Sequence, residues 1–242
     1  MFAILQKEVN SFLNSMIAYI VIGVFLVAIG LFMWVFPDTS VLEYGYADMQ
    51  TLFTMAPWIF LFLIPAITMR TFSEEKKGGT LELLLTKPIT DLQLLLGKYL
   101  ACLLLAILAI IPTLLYYYSV YNLGNPVGNI DSAAVTGSYI GLIFLAAIFT
   151  AIGVFASAIT ENQIISFILA VFLCFLIYTG FDYIASLDMG GNISYIISSL
   201  GISFHYNALS KGLIDSRDIL YFLSVIGLFL LGTKLVLESR KW

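Results

Sequence analysis

The chain has 242 residues, of which 61% are hydrophobic and 11% charged, with a net charge of −4 and a mean hydropathy of +1.00. A soluble domain carries about 25% charged and 45–50% apolar residues, so a water-soluble globule is excluded as the home of this much apolar surface. The acidic balance offers no basic face for nucleic acid, and Cys102 and Cys174 lie inside apolar runs without a disulfide or metal-ligand spacing.

Residues 1–15 place Phe2, Leu5, Val9, Phe12 and Leu13 at helical spacing, with Gln6, Lys7, Glu8, Asn10 and Asn14 between them. This predicts an N-terminal amphipathic helix, either lying in the inner membrane interface or simply leading into the first span. An apolar run over 16–36 is long enough to cross a bilayer and leads to a polar loop without an A-x-A-like site, so a cleaved leader is not expected. Further runs occupy 51–69, 99–120, 137–159, 164–186 and 219–236. Helices satisfy their own backbone groups in hydrocarbon, and the alternation of a β-barrel strand is absent. The expected fold is an all-α membrane protein, one permease-like domain over 1–242 with six transmembrane helices.

Orientation follows from Lys and Arg in the loops. Lys7, Arg70, Lys76, Lys77, Lys87, Lys98, Lys234, Arg240 and Lys241 fall on one side of the six-span frame, and of 11 basic residues only Lys211 and Arg217 fall on the other. Both termini are therefore predicted to be cytoplasmic. Trp34, Tyr44, Tyr46, Tyr116, Tyr117, Tyr118, Tyr121, Tyr178, Tyr183 and Tyr221 gather near the outer ends of the spans, as an interfacial aromatic belt does.

Between the second and third runs, residues 70–98 read RTFSEEKKGGTLELLLTKPITDLQLLLGK. Thr71-x-x-Glu74 and Thr90-x-x-Gln93 are capping-box patterns, while Gly78-Gly79 and Pro88 punctuate the stretch. The pattern predicts a short charged helix, a glycine break and a leucine-rich amphipathic piece; an ordinary solvated loop fits the charges as well. Span four carries Gly137, Gly141, Ala147, Ala151, Gly153 and Ser157, spaced for close helix approach within the bundle or between two copies. Pro57, Pro65 and Pro112 lie inside spans, as static kinks or as hinges. Residues 187–218 form a long outer loop whose Ile193, Ile196, Ile197, Leu200, Ile202 and Phe204 favour short interfacial helices over a solvated coil.

No G-x-x-x-x-G-K-[ST] loop occurs, so nucleotide hydrolysis by that device is not expected of this chain. His205 is the one histidine and falls outside the spans, and Asp182 is the one acid inside a span, close to its outer end. A metal site, an intramembrane protease or an ion-coupled path is therefore not expected.

The run TFSEEKKGGTLELLLTKPIT resembles the signature of bacterial ABC-exporter permeases of the second type, with acids and bases ahead of Gly-Thr-Leu-Glu and a Leu-Leu…Pro. The stretch SFHYNALSKGLIDSRDILYFLS is similar to permease subunits associated with gliding motility. The resemblance implies an inner-membrane, multi-pass permease subunit of an ATP-driven exporter, without its own ATPase. It also implies a separate ABC ATPase subunit that uses ATP and Mg, and a second permease copy or relative. By the same resemblance, Thr71, Phe72, Ser73, Glu74, Glu75, Lys76 and Lys77 form an ATPase-coupling helix; Gly79, Thr80, Leu81 and Glu82 shape the turn after it. Glu161, between spans four and five, is a second inner contact. Two other classes fit the residues: a non-transporting membrane scaffold of a motility or secretion machine, and an ATP-independent channel. A bound ATPase separates the permease from both.

Overall fold

The computed structural model describes residues 1–43, 45–80, 90–187 and 191–239, and their regular structure is helical, with no strand among the described residues. Helix α1 (Phe2–Leu13) is followed by α2 (Met16–Trp34), which starts where the Ser15 hydroxyl accepts the Ile17 N–H. Helix α3 (Gln50–Thr68) carries Pro57 and Pro65 in its interior and runs through a turn into the short helix α4 (Ser73–Lys77). After it come α5 (Asp91–Ile110), a 3-10 turn over Ile111–Thr113 that contains Pro112, and α6 (Leu114–Leu123). Helix α7 (Ser132–Ile159) is joined by a tight turn to α8 (Gln163–Phe175), which continues through a π turn, Leu176–Gly180, into α9 (Phe181–Ala185). Two short helices, α10 (Gly191–Ser198) and α11 (Ile202–Leu209), precede α12 (Ser216–Glu238).

Six stretches among the described residues are long and apolar enough to cross a membrane: Met16–Trp34, Gln50–Lys77, Asp91–Leu123, Ser132–Ile159, Gln163–Ala185 and Ser216–Glu238. They match the six predicted runs, with the second extending to Lys77, the third starting at Asp91 and the fourth at Ser132. The third starts eight residues before the apolar run, because Thr90 and Gln93 close a reciprocal capping box (3.2 and 3.4 Å) and nucleate the helix at Asp91. The other capping-box pattern does not form. The Thr71 hydroxyl donates back to the Thr68 carbonyl at 2.6 Å, and Phe72 stands at the N-cap of α4 without a side-chain cap.

Burial sorts the six into an inner and an outer set. The stretches built on α3, α5 and α7 have 61, 61 and 78% of their apolar windows buried, whereas those built on α2, α8 and α12 have 22, 28 and 11%. Helix α7 is the pillar, packed against α3, α5, α8, α11 and α12. Lipid tails are as apolar as leucine, so helices associate in a membrane through close packing rather than through expulsion of water. The small residues of α7 provide that closeness. A Cβ at Gly137 would stand 2.7 Å from the Gly212 carbonyl oxygen, one at Gly141 2.6 Å from Leu209 Cβ, and one at Gly153 would overlap the Thr68 side chain. The small-residue stripe therefore serves contacts inside one bundle.

At one end of the bundle Ile4, Phe72, Leu94, Leu95, Val154, Ala158 and Leu237 form a separate apolar cluster. Both terminal helices, α1 and α12, reach this end. At the opposite end α11 is inserted into the bundle: Ile202, Ser203, Tyr206 and Leu209 are buried, and the Tyr206 hydroxyl donates to the Phe53 carbonyl at 2.8 Å. Burial pushes the Tyr206 phenol well above its ordinary pKa, which keeps it a neutral donor there.

Candidate functional site

The end that the two terminal helices reach also carries α4, and the local sequence explains its form. Glu74 and Glu75 occupy the first turn and Lys76 and Lys77 the last, each sign matching the partial charge at its helix end. Gly78 closes the helix and Gly79 follows at φ +65°, a left-handed conformation that a side chain rarely adopts. A five-residue helix is too short to hold itself, so its position comes from long-range partners.

Helix α7 supplies the first set. Ser157 Oγ accepts the N–H groups of Phe72 (2.9 Å) and Ser73 (3.1 Å) and donates to the Met69 carbonyl (3.1 Å). A hydroxyl more than eighty residues away thus takes the place of the missing local cap. The Lys76 ammonium donates to the Ala158 carbonyl in the last turn of α7, where the helix dipole favours a cation. Ser73 Oγ donates to the Met69 carbonyl as well.

The second set centres on Lys98, whose side chain is 1% exposed. Its ammonium lies 2.9 Å from Glu8 Oε1 on α1, 2.9 Å from Glu75 Oε1 on α4, and 2.6 Å from the Thr71 carbonyl between α3 and α4. The contacts to Glu8 and to the Thr71 carbonyl are hydrogen bonds, and the one to Glu75 is an ion pair. The Phe72 ring lies 5.2 Å from the same nitrogen. Lys7 stands 3.6 Å from Glu75 Oε1, so two cations face two carboxylates. Glu75 Oε2 is buried, and no hydrogen-bond donor reaches it among the described residues. Helix α1 reaches this position by packing on α5, where Gly97 lets Ile4 approach so closely that a Cβ would be 3.2 Å away. A cavity of about 230 Å³ lined by Lys7, Ser11, Arg70, Glu74 and Thr80 opens beside the cluster.

The residues predicted for coupling divide by exposure. Thr71, Phe72 and Ser73 are buried and anchor the segment; Glu75 and Lys76 are half-buried and paired inward. Glu74, Lys77, Gly79 and Thr80 are exposed and form the free face. Leu81 and Glu82 lie outside the described residues. Glu161 is exposed in the turn between α7 and α8, the two long helices that α4 packs against together. Sequence reasoning missed Lys98, Glu8 and Ser157 as parts of this site. A capping serine and a buried lysine carry no local signal when their hydrogen-bond partners are 27 to 90 residues distant.

At the other end, the polar groups singled out from sequence are held by neighbours. Ser203 donates to Asp182 Oδ2. His205 Nδ1 lies 2.7 Å from Asp218 Oδ1 and Nε2 2.9 Å from the Ser199 carbonyl, with the ring stacked on Tyr221 at 3.9 Å between centroids. These contacts join α11 to α12 and account for His205 as a structural tie. Among the described residues, no group of three or more His, Cys, Asp and Glu side chains is placed to hold a metal ion.

Residues 10–177, well over half of the chain, match the family model described as ABC-2 family transporter protein. The match takes in α2 to α8 and the whole of α4. No curated protein matches the chain.

Proposed function

The chain belongs to the ABC-2 transporter family, a multi-pass membrane permease subunit of an ABC transporter, and we propose that α4 is the surface on which its ATPase partner docks. In this family the permease works with an ABC ATPase subunit, and this chain carries no phosphate-binding loop of its own. One observation carries the proposal: α4 and the turn after it present Glu74, Lys77, Gly79 and Thr80 outward while the buried side of α4 is fastened to α1, α5 and α7. A helix meant only to connect two spans has no need of such fixing. A helix that receives force does, because a loose contact absorbs a push instead of passing it on. Leu81 and Glu82 would continue the docking surface, and Glu161 would add a second contact.

The finer reading follows from the loop charges and from sequence resemblance. We place α4, α1 and both termini on the cytoplasmic side of a bacterial inner membrane, with α1 along the inner interface and residues 187–218 outside. The resemblance to the gliding-motility-associated permease subunit GldF supports an exporter that serves that motility. A second permease, self or related, completes the path, and ATP with Mg belongs to the ATPase. The test is purification of the tagged chain from its host in mild detergent, with mass spectrometry of what accompanies it. A stoichiometric soluble subunit with a Walker motif is the expected result. Recovery without an ATPase, even after gentle cross-linking, would overturn the permease reading in favour of a scaffold or a channel.

A further inference from the structure

A buried ammonium near the end of a membrane bundle has to be explained by something other than stability. Well-packed apolar residues often replace buried ion pairs at no loss, since desolvation of the charges offsets most of their attraction. Space at this end is already filled by apolar neighbours of Lys98, namely Leu94, Leu95 and Phe72. What an apolar side chain cannot supply is direction. Two hydrogen bonds and an ion pair from one ammonium fix the relative positions of the segments that carry those three oxygens, whereas methyl contacts permit sliding.

The segments joined are not neighbours in sequence. Glu8 belongs to α1, Glu75 to α4, the Thr71 carbonyl to the turn that ends the second span, and Lys98 itself to α5, about two turns inside its start. Helix α4 is therefore tied to α7 by Ser157 and Lys76 and to α5 and α1 by one cation. We propose that Lys98 is a positioning residue for ATP-coupled transport, making α1, α4 and the adjoining end of α5 move as one body. The inference rests on the permease reading above. A displacement of α4 by its partner then reaches the body of α5, not its fraying first turn, and carries α1 along the membrane surface with it.

The test uses the permease–ATPase complex in lipid nanodiscs, comparing wild type with Lys98→Met and Glu8→Gln. Spin labels at Asn10→Cys on α1 and Lys77→Cys on α4, both exposed, report the α1–α4 distance without nucleotide and after trapping with ATP and vanadate. The native Cys102 and Cys174 are buried and stay unlabelled. In wild type the distance is the same in both states. In Lys98→Met it shifts on trapping by more than about 2 Å, the scale of helix shifts in such transitions. ATP turnover falls at least about fivefold while the ATPase remains bound, the lower end of ordinary coupling between sites. Glu8→Gln keeps the shape and one hydrogen bond, moves both readouts in the same direction by less, and decides the matter alone if Lys98→Met does not accumulate. Unchanged distance and turnover in variants that retain the ATPase would overturn the proposal. So would loss of the ATPase in step with a lowered melting temperature, which is the mark of a merely structural residue. A wild-type chain that binds no ATPase would instead bring down the permease reading itself.

Discussion

Ser157 shows how much one side chain can decide in this molecule. Its hydroxyl serves two backbone N–H groups and one carbonyl, and all three belong to the turn that carries α4. In Ser157→Ala the buried Phe72 and Ser73 N–H groups lose the hydroxyl that caps them, at a cost of about 1–2 kcal/mol. A matching fall in thermal stability in detergent is expected, together with faster hydrogen exchange confined to residues 69–78. Exchange that rises uniformly over the bundle would show that the hydroxyl supports the whole fold and not this turn. Sequence alone placed Ser157 in a stripe of small residues, and that much is correct, since small size is what admits α4 to the surface of α7. Its hydrogen bonds were illegible because a serine in a helix interior looks the same whether it bonds its own backbone or a distant one. The same holds for Lys98, which in a count of loop charges is indistinguishable from a solvated lysine.

At the level of elements, what the hydrocarbon dictates was legible and what neighbours dictate was not. Six spans were readable because a bilayer demands a fixed run of apolar residues, and the Thr90–Gln93 box marked a helix start by local chemistry alone. The Thr71 pattern has the same composition and fails, because α3 reaches through the turn and Ser157 already holds the N–H groups a local cap would take. The π turn at Leu176–Gly180 and the insertion of α11 arise from packing and leave no periodic trace. Helix α4 yields a sharper prediction, because its two glutamates do different things. Glu74 is exposed and makes no ion pair among the described residues, so Glu74→Lys should leave thermal stability within about 0.5 kcal/mol of wild type, as surface changes do, while weakening ATPase co-purification. Glu75 is 12% exposed and paired to Lys98, so Glu75→Lys sets a third cation beside Lys98 and Lys7 and costs about 3–5 kcal/mol of stability. Equal stability of the two variants would contradict the inward pairing, and undiminished co-purification of Glu74→Lys would contradict docking on the exposed face.

Across the whole molecule, α3, α5 and α7 form an inner set and α2, α8 and α12 an outer set with broad apolar flanks, as spans that face lipid require. Both terminal helices and α4 share one end of the bundle, and His205, Lys211 and α11 belong to the stretch that closes the other. Which end faces the cytoplasm is decided by charge. The basic residues of the 70–98 segment and of both terminal segments resist translocation, and pairing does not remove them from that count, because Lys and Arg set topology almost regardless of nearby acids. Single cysteines then read the orientation directly. Thr80 and Leu213 are exposed, one beside α4 and the other between α11 and α12. In sealed right-side-out vesicles a membrane-impermeant maleimide should modify Leu213→Cys at once and Thr80→Cys only after permeabilisation, with the buried Cys102 and Cys174 silent in both cases. The reverse pattern would put α4 outside, beyond the reach of any cytoplasmic ATPase, and would remove the physical basis for coupling through Lys98. Modification of both sites without permeabilisation would mean that Thr80 lines a path open to the outside.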